Sequence, residues 1–226
     1  MIFILTGAGI SKESGIETFR DSDGLWASYS IEEVATFGAF KRDPTKVYKF
    51  YDERRKQLLS VLPNAAHLAL AELEKSGQEI FLVTQNVDDL HEKAGSQNII
   101  HMHGRLNAAL CLACRHNFDW AVDLSEKDRC PNCGGTLRPD VVWFGEQPYH
   151  MPDIFRAIKN CKLFVSIGTS GAVYPAAGLV TRAKQNGAKT IELNLEPSLN
   201  ANCFDQGFYG PATEVVPHWV GTLLIK

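Results

Sequence analysis

Four cysteines are spaced to hold a metal. Cys111, Cys114, Cys130 and Cys133 lie in "CLACRHNFDWAVDLSEKDRCPNC" as two C-x2-C pairs with 15 residues between them. Each pair forms a tight knuckle, and the spacer lets the two knuckles meet as a tetrahedral zinc ribbon. Redox pairs or disulfides are the competing reading, and His116 is a poorer substitute ligand. Four thiolates fill the coordination sphere and leave no position for a reacting water, so the expected Zn2+ is structural. Cys161 and Cys203 remain as core or surface thiols.

Other candidates sit after apolar runs. "IIHMHGRL" offers His101 and His103, which point the same way on an extended segment. No further ligand nearby completes a metal set. His103, at a strand end before Gly104, is placed to face a cleft, whereas His101 reads as a satisfied core histidine. Gly7 and Gly9 follow a strand, where glycine lets a backbone approach a pyrophosphate; Lys12 occupies the third position of G-x-G-x-x-G, so the dinucleotide fingerprint is incomplete. Ser11, Ser14, Thr18, Phe19, Arg20 and Asp21 gather hydrogen-bonding groups and an aromatic ring in the loop beyond. Gln85, Asn86 and Asp88 follow another strand and would project from its carboxyl end; a polar helix start is the simpler account. Gly168, Thr169 and Ser170 suit a phosphate or ribose, and Asn194 and Glu196 end a further strand, where Glu196 could accept ribose hydroxyls. In "KFYDERRKQLL" Tyr51 and Arg54 share a helix face and could grip a carboxylate, with Phe50, Leu58 and Leu59 turned inward and Arg55 turned to solvent.

The elements that must position these groups alternate. Residues 2–6, 79–85, 98–103, 162–168 and 189–195 read as buried strands, because they lack polar alternation. Between them "PNAAHLALAELEKSG" reads as a helix capped by Asn64, with Leu68, Leu70, Ala71 and Leu73 apolar and Gly77 as its stop; "AAGLVTRAKQNG" ends likewise at Gly187. The expected fold is α/β, a Rossmann-like doubly wound parallel sheet. Residues 1–104 and 141–226 would form it, with a helical cofactor-loop insert over about 16–60 and a zinc-ribbon module over 105–140.

The totals exclude some classes. The 226 residues are 45% hydrophobic, enough for a substantial core, and 23 Lys and Arg against 26 Asp and Glu give a net charge of −3 without a single-sign block. Specific nucleic-acid or membrane binding is therefore not expected. No run approaches the ~18 apolar residues of a membrane span, and the start carries no signal-peptide pattern, so the expectation is a monomeric cytoplasmic protein.

Taken in order, the motifs resemble a known family. "GAGISKESGIETFRDSDGLW" is similar to the cofactor segment of the sirtuins, NAD-dependent protein lysine deacylases, and "TQNVDDLHEKAG" to their Q-N-[IV]-D motif. The resemblance implies NAD as co-substrate, held by Gly7, Ala8, Gly9, Ser11, Ser14, Thr18, Phe19, Arg20, Trp26, Gln85, Asn86, Val87, Asp88, Gly168, Thr169, Ser170, Asn194, Leu195, Glu196 and Ala212. It assigns the general base to His103, with Asn86 and Asp88 beside it in the catalytic set. By the same resemblance, acyl-lysine oxygen attacks the nicotinamide ribose, an alkylimidate forms as nicotinamide leaves, and His103 draws a proton from the ribose hydroxyls. Free lysine and O-acyl-ADP-ribose are the products. "RPDVVWFGEQP" resembles the strand that pairs with the acyl-lysine peptide, where Val142, Trp143, Phe144 and Gly145 would form the backbone contacts and an apolar tunnel. Tyr51 and Arg54 match the Y-x-x-R pair of the class III, desuccinylase and demalonylase-like bacterial members, which implies acylated-lysine proteins as partners and an acidic acyl preference. Protein ADP-ribosyl transfer, or a non-catalytic NAD and zinc binding module, is the alternative.

Overall fold

Strand β1 (Ile2–Thr6) sends Phe3 and Leu5 to one side and Ile4 to the other, and all three are buried. A strand apolar on both faces needs cover on both, and here it is central in a parallel sheet. The computed structural model describes residues 1–16 and 29–224. Around β1 lie β2 (Ile80–Thr84), β3 (Ile99–His101), β7 (Leu163–Ile167), β8 (Lys189–Asn194) and β9 (Gln206–Tyr209), in the order β3-β2-β1-β7-β8-β9, every pair parallel. The predicted doubly wound sheet is present. β9 is an addition to the expectation: its exposed residues carry no apolar run that would mark a strand.

Helices α5 (Ala65–Lys75) and α9 (Ala212–Leu224) cover the face that holds Ile4, Leu82, Val165 and Leu193. The other face, with Phe3, Leu5, Val83 and Phe164, packs on α7 (Met151–Asn160) and α8 (Leu179–Gln185). Asn64 caps α5 by accepting from the Ala66 amide at 3.0 Å, as its position suggested. Leu68 is 51% exposed, however, so the buried stripe of α5 runs through Ala66, Leu70 and Leu73 without it.

A second sheet, ordered β5-β4-β6, is antiparallel and built from β4 (Gly104–Cys111), β5 (Asn117–Asp119) and β6 (Leu137–Val141). It shares an apolar cluster with α3 (Phe37–Arg42) and α4 (Pro44–Leu58), including Phe40, Phe50, Leu106 and Trp143. Asp43 caps α4 through the Lys46 amide at 3.0 Å. The buried stripe of α4 is Val47, Tyr51, Arg55 and Leu58. Arg55 therefore corrects the sequence reading: it is 4% exposed, not turned to solvent, because it falls on the apolar period between Tyr51 and Leu58. Its Nε donates to the Leu106 carbonyl at 2.8 Å and its Nη1 pairs with Asp52. Leu59, expected inward, is 78% exposed just past the helix end.

Under β1 two histidines meet, His67 from α5 and His91 from α6 (Leu90–Ala94), their ring centroids 5.0 Å apart. Thr6 Oγ1 lies 3.0 Å from His91 Nε2. Burial lowers His67 from 6.5 to about 4 and pushes His91 the same way. Between those values the unfolded chain binds more protons than the native state, so stability falls as pH drops from 6.5 towards 4. For His67 alone the loss is about 3 kcal/mol. Urea denaturation at a series of pH values should give a shallower acid slope for His67→Gln than for the unaltered chain, and equal slopes would reject the assignment.

Candidate functional site

The carboxyl ends of β1 and β7 are drawn together by their glycines. The Gly9 amide donates to the Gly168 carbonyl at 2.9 Å, and a Cβ on Gly168, whose φ is +62°, would lie 2.4 Å from the Ile10 nitrogen. The first glycines therefore serve a close approach between two protein turns, as well as any approach to a ligand. Beyond this contact a cleft of about 500 Å³ opens along the sheet edge, within the range of small-molecule and cofactor sites.

One wall comes from the main sheet. Gly7, Ala8, Gly9, Ser11, Gln85, Asn86, Val87, Asp88, Gly168, Thr169, Ser170, Asn194, Leu195 and Glu196 all line the cleft. Asn86 Nδ2 donates to the Gly7 carbonyl at 3.2 Å and to Ser11 Oγ at 3.0 Å, while Ser11 donates to Asp88 at 3.0 Å. Burial raises Asp88 above the usual carboxylate value, with the Leu90 amide and the Ser11 hydroxyl opposing it. Among the described residues, Ser14 and Ala212 do not line the cleft: Ser14 accepts from Asn64, and Ala212 packs with α9 on the sheet. Thr18, Phe19, Arg20 and Trp26 lie outside the described residues.

His103 also faces the cleft, in the turn between β3 and β4. Its Nδ1 is 3.0 Å from the Gln85 carbonyl, an acceptor, so this nitrogen carries the proton and Nε2 keeps its lone pair. Burial lowers its proton affinity below the ordinary 6.5, and the Gln85 bond partly offsets this. The ring is thus neutral at about pH 7 and can accept a proton. Gly104 makes the tight turn behind it, at φ +80° with the Asp140 carbonyl 2.0 Å from where a Cβ would be.

The opposite wall is α4 with residues 141–146. Tyr51 and Arg54 line it with Val142, Trp143, Phe144 and Gly145. Val142 to Gly145 lie past the end of β6, not within a strand of the sheet; the Val142 amide donates to the His103 carbonyl and the Phe144 amide to Ala35. Trp143 Nε1 donates to Tyr51 Oη at 2.9 Å. That bond occupies a lone pair of the phenol and leaves its own O–H as a donor. Burial, partly countered by the charge of Arg54, raises Tyr51 to about 12, so the proton stays on.

Two residues here carry no motif in the sequence. Arg138, 1% exposed, donates both terminal nitrogens to Glu146 at 2.7 Å and stacks 3.9 Å from the Trp143 ring centroid. Glu146 in turn accepts from the Trp143 amide at 2.8 Å. Burial would raise Glu146, and Arg138 outweighs it, so the carboxylate stays ionised. Their sequence signal is two opposite charges bracketing "PDVVWFG", whose residues 141–144 are apolar.

The four cysteine sulfurs lie within 4.8 Å of one another, with Cys111 to Cys133 at 3.5 Å and Cys114 to Cys130 at 3.6 Å. Tetrahedral bonds of about 2.3 Å to zinc place sulfurs roughly 3.8 Å apart, whereas a disulfide needs about 2.05 Å. The donor set fits Zn2+ held by all four thiolates. His116 instead packs edge-on against the Phe118 ring. Among the described residues no helix is long and apolar enough to cross a membrane.

Comparison with known proteins adds to this geometry. The Sir2 family model matches residues 7–175. An NAD-dependent protein deacylase of Pasteurella multocida is 55% identical, covering 99% of this chain and 97% of its own length. One from Escherichia coli K12 is 52% identical over 99% of this chain and 82% of its own. Among solved structures, a Sir2 homologue in complex with NAD aligns at TM-score 0.88 and 41% identity, covering 99% and 90% of the two chains. A Sir2 variant with deacetylated p53 peptide and 3'-O-acetyl ADP ribose aligns at TM-score 0.85 and 29% identity, covering 100% and 94%.

Metal removal is a direct check on the cysteine cluster. The native chain should carry about one Zn2+, measured by atomic emission, and chelation should lower its thermal midpoint and disorder the small sheet in near-ultraviolet circular dichroism. A chain that loses no stability on metal removal would make the cluster a non-structural site.

Proposed function

The chain belongs to the Sir2 family and is an NAD-dependent protein deacylase, and we propose that it removes succinyl and malonyl groups from lysine more readily than acetyl. NAD is consumed as a co-substrate. In this reading residues 1–104 and 141–226 form the cofactor domain, with the helical insert over about 16–60, and 105–140 form the zinc module. The acylated lysine of a protein enters between residues 142–145 and α4 and meets the nicotinamide ribose beside Asn86 and Asp88.

His103 is the base. Its Nε2 takes the proton of a ribose hydroxyl, while the Gln85 carbonyl holds Nδ1–H and so fixes the tautomer. Asn86, tied to Gly7 and Ser11, orients the ribose. The products are nicotinamide, free lysine and O-acyl-ADP-ribose.

The observation that carries the acyl preference is Tyr51 Oη accepting from the buried indole of Trp143 while Arg54 lines the same wall. A phenol so fixed donates its hydrogen, and a guanidinium beside it donates too; a succinyl or malonyl carboxylate accepts both, and an acetyl methyl accepts neither. A charged hydrogen bond contributes about 1.5–3 kcal/mol, which corresponds to one to two decades in affinity. Transfer of ADP-ribose to proteins is the second reading, and it would leave labelled acceptor proteins in place of free lysine.

Mass spectrometry of succinyl-, malonyl- and acetyl-lysine peptides incubated with NAD separates these outcomes. Tyr51→Phe and Arg54→Met should cut succinyl and malonyl removal by roughly tenfold or more and acetyl removal far less. Equal loss on all three peptides for Arg54→Met would end the selectivity claim. His103→Tyr should abolish every deacylation. Because burial depresses His103, the acid limb of kcat/KM should lie below pH 6.5, and a limb above it would assign the base elsewhere.

A further inference from the structure

Arg55 is buried, and it lies outside the cleft that its neighbour Arg54 lines. Its Nε donates to the Leu106 carbonyl at 2.8 Å, and its Nη1 pairs with Asp52, one turn before it on α4. Nη2 is buried with no partner among the described residues. An unmet donor on a buried guanidinium costs free energy, so an apolar side chain of similar size would suit this cluster better on stability alone. What the guanidinium contributes instead is direction.

We propose that Arg55, braced by Asp52, is a positioning residue for acyl recognition, a role that rests on the acidic acyl preference. It holds α4 at the rotation that keeps Tyr51 against Trp143, and so presents Tyr51 and Arg54 to the acyl end of the bound lysine. Asp52 and Arg55 repeat the spacing of Tyr51 and Arg54 one residue later, which is about 100° further round the helix. A bond made on the second face therefore sets where the first face points.

Both anchors of the pair lie off the helix. Asp52 Oδ1 accepts from the Leu124 amide at 3.0 Å, in the segment between β5 and β6. Leu106 sits within the register shift of β4 against β6, between Gly104 and Ala109. Its backbone bonds therefore go elsewhere: the carbonyl takes Arg55, and the amide donates to the Val87 carbonyl at 2.8 Å. Val87 lies between Asn86 and Asp88 on the opposite wall of the cleft. Arg55 thus ties the two walls together through a single residue of β4.

Small rotations matter here. A helix with its side chains is about 5–6 Å in radius, so a turn of roughly 10° moves its outer atoms by ~1 Å. Such a turn takes the contact of Tyr51 with Trp143 from 2.9 Å to beyond hydrogen-bonding reach. The apolar contacts of Val47, Phe50 and Leu58 keep the helix seated, but they are non-directional and tolerate the turn. The two bonds of Arg55 do not.

The experiment has two arms on Arg55→Met, which keeps an apolar stem and removes both bonds. The first is the 15N-correlated signal of the Trp143 indole N–H, assigned with Trp143→Phe. It should move in Tyr51→Phe, where its acceptor is gone; Arg55→Met should move it the same way, and Arg55→Lys, which keeps the charge and a donor, by less. The second is the ratio of kcat/KM for a succinyl-lysine peptide over an acetyl-lysine peptide. Arg55→Met should lower it about tenfold, through the KM of the succinyl peptide, and by less than about twofold when added to Tyr51→Phe with Arg54→Met. A Trp143 signal unmoved by Arg55→Met overturns the proposal whatever the rates. So does an unchanged ratio where Arg54→Met lowers it, or a full tenfold loss in the doubly altered background, since Arg55 would then act elsewhere. If Arg54→Met also leaves the ratio unchanged, the acyl preference is what has failed, and the indole signal alone decides whether Arg55 positions Tyr51. Should Arg55→Met not fold, Asp52→Asn weakens the same pair and should shift both readouts in the same directions; no shift in either overturns the proposal.

Discussion

Everything at the site depends on two turns being able to touch. Gly9 and Gly168 lie in the turns that follow β1 and β7, strands that pair side by side, and their backbones come so close that neither position has room for a side chain. Parallel strands all finish at the same edge, so the groups that follow β1, β2, β7 and β8 are delivered to a single crevice. The contact between the first and third of these turns sets the floor of that crevice. Asn86 then reaches across to the Gly7 carbonyl and joins the second turn to the first.

The far wall is held by a different kind of force. Arg138, Glu146 and Trp143 form a knot in which a buried guanidinium is paired, bonded to the Val141 carbonyl and stacked on an indole at once. A buried ion pair is weak evidence for stability, since desolvation opposes it, but its directional bonds fix a conformation that apolar packing would leave loose. Here the conformation fixed is the segment after β6 that faces α4. The indole held by this knot is also the one that bonds Tyr51, so the ion pair and the proposed acyl selectivity are mechanically connected.

Much of this was legible in the residues. Cysteine spacing carries its own geometry, and apolar strands with capped helices between them point to a parallel sheet. Four features were hidden for physical reasons. The charge of Arg55 points to solvent, whereas helical period decides burial and puts it on the stripe of Tyr51 and Leu58. β9 is an exposed edge strand and lacks the apolar signal that marks its neighbours. Arg138 and Glu146 are partners only because the chain turns at Gly145, which no periodicity encodes. The sequence presents His101 as a satisfied core histidine, and its two polar bonds agree; what the spacing cannot reveal is that its partners are the Asn86 carbonyl and Glu92.

The strand order has a further consequence, for the time course of synthesis. β1 occupies residues 2–6, yet its neighbours begin at residues 80 and 163. With translation at about 5–20 residues per second, the second neighbour is made roughly 8–30 s after β1 leaves the catalytic centre of the ribosome. For that interval one of the most apolar segments of the chain has an unpaired edge. The central strand of the finished sheet is therefore the segment most in need of protection while the protein is being made.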